Sequence, residues 1–292
     1  MTNELNIEAS PWPTEAIIPF LKAQGHTVVR TPEGWWYDHY RGAHLFIPLP
    51  LQRSPPAVAS EAESVFRDAK AAWWLRCAGA PSPNQDSSFR WILKRPYDLT
   101  TLSSNIRHNV RRGLARTVTR PMTFREVVQL GAEAHGDTIR RHGGKPHGLG
   151  VELELDECGA FEAWGAFVGD ELAAFAVTVI MDDWAHFLVV RSTDKHMKLY
   201  PNNALLFYVC QQLLQRNYVS TICRGFRSVK APAGLENYNK SMGFVPEPID
   251  ESILLRPPLG LLINRFTCAA AKPILHLLGQ QGIARVLAAV TK

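Results

Sequence analysis

AWGAFVGDELAAFAVTVIMDDWAHFLVVRS, residues 163–192, is three apolar runs cut by two pairs of turn residues, Gly169-Asp170 and Asp182-Asp183. Each run is short and rich in aromatic and β-branched residues, so the stretch predicts three antiparallel strands joined by tight hairpins. The loop TDKHMKLYP follows. It leads into NNALLFYVCQQLLQRN, where Leu206, Val209, Cys210, Leu213 and Leu214 recur at helical spacing. YVSTICRG then reads as a strand, GLENYNKSM as a short helix before Gly243-Phe244, and SILLRP as the strand that closes the sheet. Hairpins followed by a crossover helix imply an α/β (α+β) fold with a mixed, mostly antiparallel sheet flanked by helices.

Upstream, residues 26–48 alternate apolar runs with turns at Pro32-Glu33-Gly34 and Arg41-Gly42, a small meander. Ser60 and Glu63 form a capping-box pattern opening a helix through about Gly79, and FRWILKR is a strand. After Pro96 the pattern predicts two consecutive helices. In the first, LSSNIRHNVRRGLARTVTR, Ile106, Val110 and Leu114 share one face, and the others carry Arg107, Arg111, Arg112, Arg116 and Arg120 with no acid. The second opens on Thr123 and Glu126, turns Val127, Leu130 and Ala134 inward, and ends before RRHGGKPHGLG. Three regions result: a reduced N-terminal half (1–97), a central domain (98–257) and a helical extension (258–292) whose apolar run is interrupted by Arg265, Lys272 and Pro273.

Composition narrows the function classes. At 292 residues with 46% hydrophobic and 20% charged side chains, the chain can bury a sizeable core. Its five cysteines are scattered with no CxxC pair, which excludes a disulfide framework and a zinc ribbon. His135, His142 and His147 straddle a glycine loop, not one helix face, so no metal is expected. The N-terminus shows no secretory pattern and the extension no spanning run, which predicts a cytoplasmic or membrane-peripheral protein. A net charge of +5 is mild; the arginine helix is where it concentrates, facing water or the phosphates of a tRNA or an anionic lipid. No motif points to sequence-specific DNA binding.

The start of the 203–216 helix offers backbone N–H groups and the positive end of a helix dipole, with Asn202 or Asn203 as N-cap and Lys195 and Lys198 nearby, a combination suited to a pyrophosphate. His186, mid-strand between Trp184 and Leu188, is of a type able to take a proton from an amine.

In order and spacing, LSSNIRHNVRRGL, RRHGGKP, LYPNNALLFYVCQQLLQRNY and GLENYNKSMGF resemble the GNAT acyltransferase superfamily, and within it the FemAB-like branch, over roughly half the chain, from Leu102 to about Pro248. The resemblance implies a sheet that splays open around an acyl thioester, and transfer of an acyl group from acyl-CoA or acetyl-CoA to a small-molecule or peptide amine. It implies cofactor binding by Val189, Val190, Lys198, Asn202, Asn203 and Ala204, substrate binding by Arg111, Arg141 and His142, and catalysis by Tyr238 and His186. Relatives tend to place an acid beside the glycine after the strand YVSTIC, where this chain has Cys223 and Arg224 before Gly225. Counting back from Gly243 puts their usual tyrosine at Asn239, one residue after Tyr238. Two alternatives stand beside acyl-CoA transfer: an aminoacyl-tRNA-dependent aminoacyltransferase, and a degenerate fold acting as a binding or membrane-peripheral module.

Overall fold

The computed structural model describes residues 8–39, 44–53, 58–78, 88–144, 158–227, 234–249 and 251–257. The expected helical extension at 258–292 lies outside the described residues. The chain divides into two compact units, one made of residues 1–13, 91–225 and 232–245, the other of 14–90, 226–231 and 246–292.

The unit beginning at Thr14 opens with α1 (Thr14–Ala23), and β1 (Val28–Thr31), β2 (Gly34–Asp38) and β3 (Leu45–Leu49) form the expected antiparallel meander. Helix α2 (Val58–Asp68) ends well before Gly79, and the residues read as its continuation form β4 (Trp74–Ala78), parallel to β3. No Gly or Pro marks that stop. Pairing overrides the helical propensity of Ala69, Ala71 and Ala72, because a strand there brings Leu75 and Cys77 into a core with Trp36, Phe46 and Val65. Glu61 is buried beside this core, accepting hydrogen bonds from the Thr31 hydroxyl (2.8 Å) and Trp36 Nε1 (2.7 Å) and pairing with Arg53 (2.6 Å). It is a charge whose partners are all supplied by the fold.

The other unit is built largely from β5 (Ser88–Lys94), α3 (Ser104–Leu114), β6 (Val118–Met122), α4 (Phe124–Leu130), α5 (Ala132–Arg141), β7 (Phe161–Val168), β8 (Glu171–Met181), β9 (Trp184–Ser192), α6 (Pro201–Leu214), β10 (Thr221–Phe226) and α7 (Leu235–Ser241). In its sheet the strands follow one another as β5-β10-β9-β8-β7-β6. The pairs from β6 to β9 are antiparallel and β9 with β10 is parallel, so the sheet is mixed and mostly antiparallel. Asp182 at the second hairpin adopts φ 53° and Gly169 at the first φ 59°, the left-handed geometry such turns need.

Three expectations are corrected. The arginine helix ends at Leu114, and VTR, read as its last turn, belongs to the edge strand β6, where Pro121 leaves no interior ladder bond unmade. The second helix is two, because Gly131 breaks it after α4; the Thr123–Glu126 capping box is present. SILLRP does not close this sheet. It forms β12 (Glu251–Leu255), after β11 (Val245–Ile249), and pairs antiparallel with β4 in the other sheet.

Helix α6 packs against β6 to β9 and is covered by α3, so it is buried around most of its circumference: Ala204, Leu205 and Phe207 join the five residues of the expected face. At the crossing, a Cβ on Gly113 would stand 2.6 Å from the Tyr200 carbonyl oxygen and 2.9 Å from the Ala204 Cβ. Gly113 therefore sets how closely α3 approaches the start of α6.

Candidate functional site

The site is a fork in the sheet. Strands β9 and β10 pair from Trp184/Thr221 to His186/Cys223 and no further, although β9 continues to Ser192 and β10 to Phe226. Beyond the fork the β10-facing edge of β9 loses its partner strand, which frees main-chain groups for a ligand. A bulge accentuates the change: Val177 pairs with Val189 and Thr178 with Phe187, so Leu188 is extra and exposed. This bulge also breaks the alternation that places Trp184, His186 and Leu188 on one face.

His186 is the last residue of β9 that pairs with β10. It is buried, its ring stacked on Trp184 with centroids 6.1 Å apart. Val189 and Val190 lie past the bulge, on the stretch of β9 without β10 beside it.

Asn202 and Asn203 are not N-caps. Helix α6 starts two residues earlier, with Pro201 in its first turn and Tyr200 as N-cap at φ 59°. Pro201 is preorganised for that position and lacks the N–H that would go unpaired there, which is why the helix begins at Pro201. Asn202 Nδ2 donates to the Ser192 hydroxyl (2.8 Å), tying the first turn of α6 to the end of β9. Asn203 is buried, its Nδ2 3.3 Å from the Met242 sulfur, and Ala204 sits under Gly113. Lys198 is exposed, while Lys195 is held by Glu171 (3.1 Å) and Glu133 (3.4 Å).

Arg141 is committed to the fold. Its guanidinium pairs with Asp194 and donates to the Ser192 carbonyl (3.0 Å), the Ser192 hydroxyl (2.8 Å) and the Thr138 hydroxyl (3.0 Å), fastening α5 to the end of β9. His142 follows at the C-cap of α5, where burial and the guanidiniums of Arg191 and Arg141 hold its imidazole below the ordinary range. The arginines read as one basic face divide their work. Arg107 donates to the Leu102 carbonyl (3.0 Å), Arg112 lies 5.2 Å from the centroid of the Tyr200 ring, and Arg120 pairs with Glu126. Arg111 and Arg116 are exposed. Among the described residues no group of His, Cys, Asp and Glu could hold a metal ion; His147 lies outside them.

Sequence reasoning passed over the group at the centre of the fork. Arg224 is the first residue of β10 beyond the last pair with β9, and Phe187 is its counterpart on β9. The Arg224 guanidinium carbon is 5.8 Å from the centroid of Phe187, 5.7 Å from Tyr238 and 5.8 Å from Phe244. Its Nη1 is buried without a hydrogen-bond partner among the described residues, and so are the hydroxyls of Tyr238 and Tyr97. Burial pushes the Tyr238 phenol up to about 12, with Arg224 pulling it back. The Tyr97 phenol and the Cys210 thiol are likewise raised by burial, and Arg224 itself is lowered. The available signal was an arginine inside an apolar strand pattern, immediately before Gly225, which turns the chain at φ 85°.

No protein-family model matches the chain, and no curated protein matches its sequence. Solved structures do match. FemX aligns with a TM-score of 0.57 over 83% of this chain and 92% of its own, at 12% identity. The C-terminal domain of a putative lysylphosphatidylglycerol synthetase from Agrobacterium fabrum aligns at 0.52 over 83% and 86%, at 12% identity. A GCN5-related N-acetyltransferase from Kribbella flavida aligns at 0.51 over 84% and 95%, also at 12%. Together with the mixed sheet, its fork and the helix that follows it, these likenesses show that the chain has a GNAT-like fold related to that of FemX.

Proposed function

We propose that the protein is an acyltransferase, with the acyl donor in the fork between β9 and β10 and an amine as acceptor. The observation that carries this reading is the juxtaposition of an unpaired strand edge with a buried phenol that lacks a partner among the described residues, Arg224 lying between Phe187 of that strand and the Tyr238 ring. The acceptor nitrogen attacks the acyl carbonyl, a C–N bond forms, the bond from carbonyl carbon to the donor's sulfur or oxygen breaks, and the proton that the nitrogen sheds passes to water. Past the bulge Val189 and Val190 point their main-chain N–H groups to opposite edges of β9; the one on the open edge polarises the carbonyl, and the first turn of α6 receives the donor's phosphates with Lys198. Such chemistry rests largely on positioning.

Tyr238 serves the leaving group. A phenol near 12 stays protonated throughout the neutral range and donates a hydrogen bond to the departing atom. A thiolate, with a reference value of about 8.5, is less basic than this phenolate and is served by the hydrogen bond alone. An alkoxide would take the proton outright, and the Arg224 cation would stabilise the phenolate left behind. This favours keeping a second donor, an aminoacyl ester on tRNA, beside acyl-CoA. FemX and the synthetase domain among the structural neighbours support the same widening, toward peptidoglycan-precursor or lipid amines as acceptors and a site of action in the cytoplasm or at a membrane surface. No helix of the described residues is long and apolar enough to cross a membrane.

The test is thiol release from a panel of acyl-CoAs in the presence of mixed amines, and deacylation of aminoacyl-tRNA under the same conditions. Turnover of either donor by the wild-type protein, reduced in Tyr238→Phe, supports the reading. Inertness toward both makes the chain a binding module.

A further inference from the structure

Arg224 is a half-buried cation whose Nη1 is buried and unanswered among the described residues. Among the described residues no carboxylate lies in ion-pair range of it; the groups that act on it are the phenols of Tyr238 and Tyr97 and the Cys210 thiol. Three aromatic rings surround the guanidinium. Rings attract its charge across their faces, but its five N–H donors lie in the guanidinium plane and require acceptors. Nη1 has none. Other buried or half-buried arginines of the chain are paired with a carboxylate: Arg53 with Glu61, although its Nη1 too lacks a partner among the described residues, Arg216 with both oxygens of Glu162 (2.6 and 3.0 Å), and Arg90 with Glu247. Arg224 differs from them in standing at the fork, against the phenol that faces the leaving group.

We infer that Arg224 is the receptor for a carboxylate on the substrate. The inference rests on the acyl-transfer reading for its location and adds the charge of what is bound. A guanidinium walled by Phe187, Tyr238 and Phe244 matches a planar carboxylate edge-on and disfavours a neutral group, which would leave the donors unpaired. Two sources place that carboxylate beside Tyr238. It belongs to the transferred group, as in a dicarboxylic acid held as a monothioester, or to the acceptor, as in an amino acid or a peptide C-terminus.

Matched ligand pairs separate the sources. Calorimetry compares succinyl-CoA with butyryl-CoA, for a carboxylate on the acyl group, and glycylglycine with glycylglycinamide in the presence of CoA, for one on the acceptor. In the wild-type protein the acid of one pair binds at least about tenfold more tightly than its neutral partner, and in Arg224→Gln the ratio falls to near one while the neutral partner binds as before. Arg224→Lys keeps the charge without the fork and gives a ratio in between, which serves if the glutamine variant does not fold. CoA esters that bind without discrimination, with equal binding in the dipeptide pair, overturn the inference and leave acyl transfer standing. A wild-type preference for glycylglycine that disappears in Arg224→Gln, with no CoA ester or aminoacyl-tRNA bound, supports the carboxylate site and overturns acyl transfer. A preference that survives both substitutions assigns the carboxylate to another residue and overturns the inference.

Discussion

Tyr238 combines a demand of the fold with a property of the site. Its hydroxyl is buried without a partner among the described residues, so its removal breaks no hydrogen bond with them, and Tyr238→Phe should leave the melting temperature unchanged or raise it slightly. Its absence is felt by the leaving group. We expect kcat to fall by about 10²-fold or more with the donor KM little changed, read from thiol-release or deacylation kinetics. His39 gives a second expectation, in the other unit. Burial first, then Arg76 and His26, lower its imidazole to about 4, against 6.5 in the unfolded chain. Between those values the unfolded state binds more protons, so stability lost on the acid side returns as pH rises from about 4 to 6.5, by up to about 3 kcal/mol. Urea midpoints across that range should rise with pH in the wild-type protein and rise less in His39→Gln.

At the scale of elements, the crossing of α3 over α6 governs where the fork's helix begins. Replacing Gly113 by alanine gains about 1 kcal/mol of helix propensity, yet it drives a methyl group into the Tyr200 carbonyl and Ala204, and overpacking typically costs about 1 to 3 kcal/mol. The steric effect wins because one of the clashing atoms is backbone, so a lower urea midpoint and weaker donor binding are expected together. On α3, replacing the exposed Arg111 and the half-buried Arg112 by glutamate should leave the fold intact while weakening the binding of a phosphate-bearing donor and flattening its salt dependence. Unchanged binding would leave those arginines as a solvated face. The three hairpin strands and α6 were legible in the sequence because their apolar residues repeat with periods of two and three to four and are bounded by turn pairs such as Gly169-Asp170. Strand β6 was not, because VTRPM is an edge strand with an exposed valine and a proline, and such a segment carries no apolar alternation.

For the whole molecule, what the sequence conveys is which segments are strands, and what it withholds is which sheet each one joins. SILLRP reads as a strand in any fold, but its pairing with β4 depends on contacts with residues about 175 positions away, to which local periodicity is blind. The site divides in the same way. Asn202, Asn203 and Ala204 could be placed near a helix start from composition alone, whereas the fork exists only because β10 leaves β9 after Cys223. Arg224 could not be recognised until the rings of β9, of α7 and of the segment after α7 had closed around it. The central claim, that a donor is held in this fork, is tested most directly by hydrogen exchange with and without acetyl-CoA or an aminoacyl-tRNA. The account predicts slowed exchange at residues 187–192 of β9 and 202–206 of α6. Binding with protection confined to other segments, and none at the fork, would contradict it.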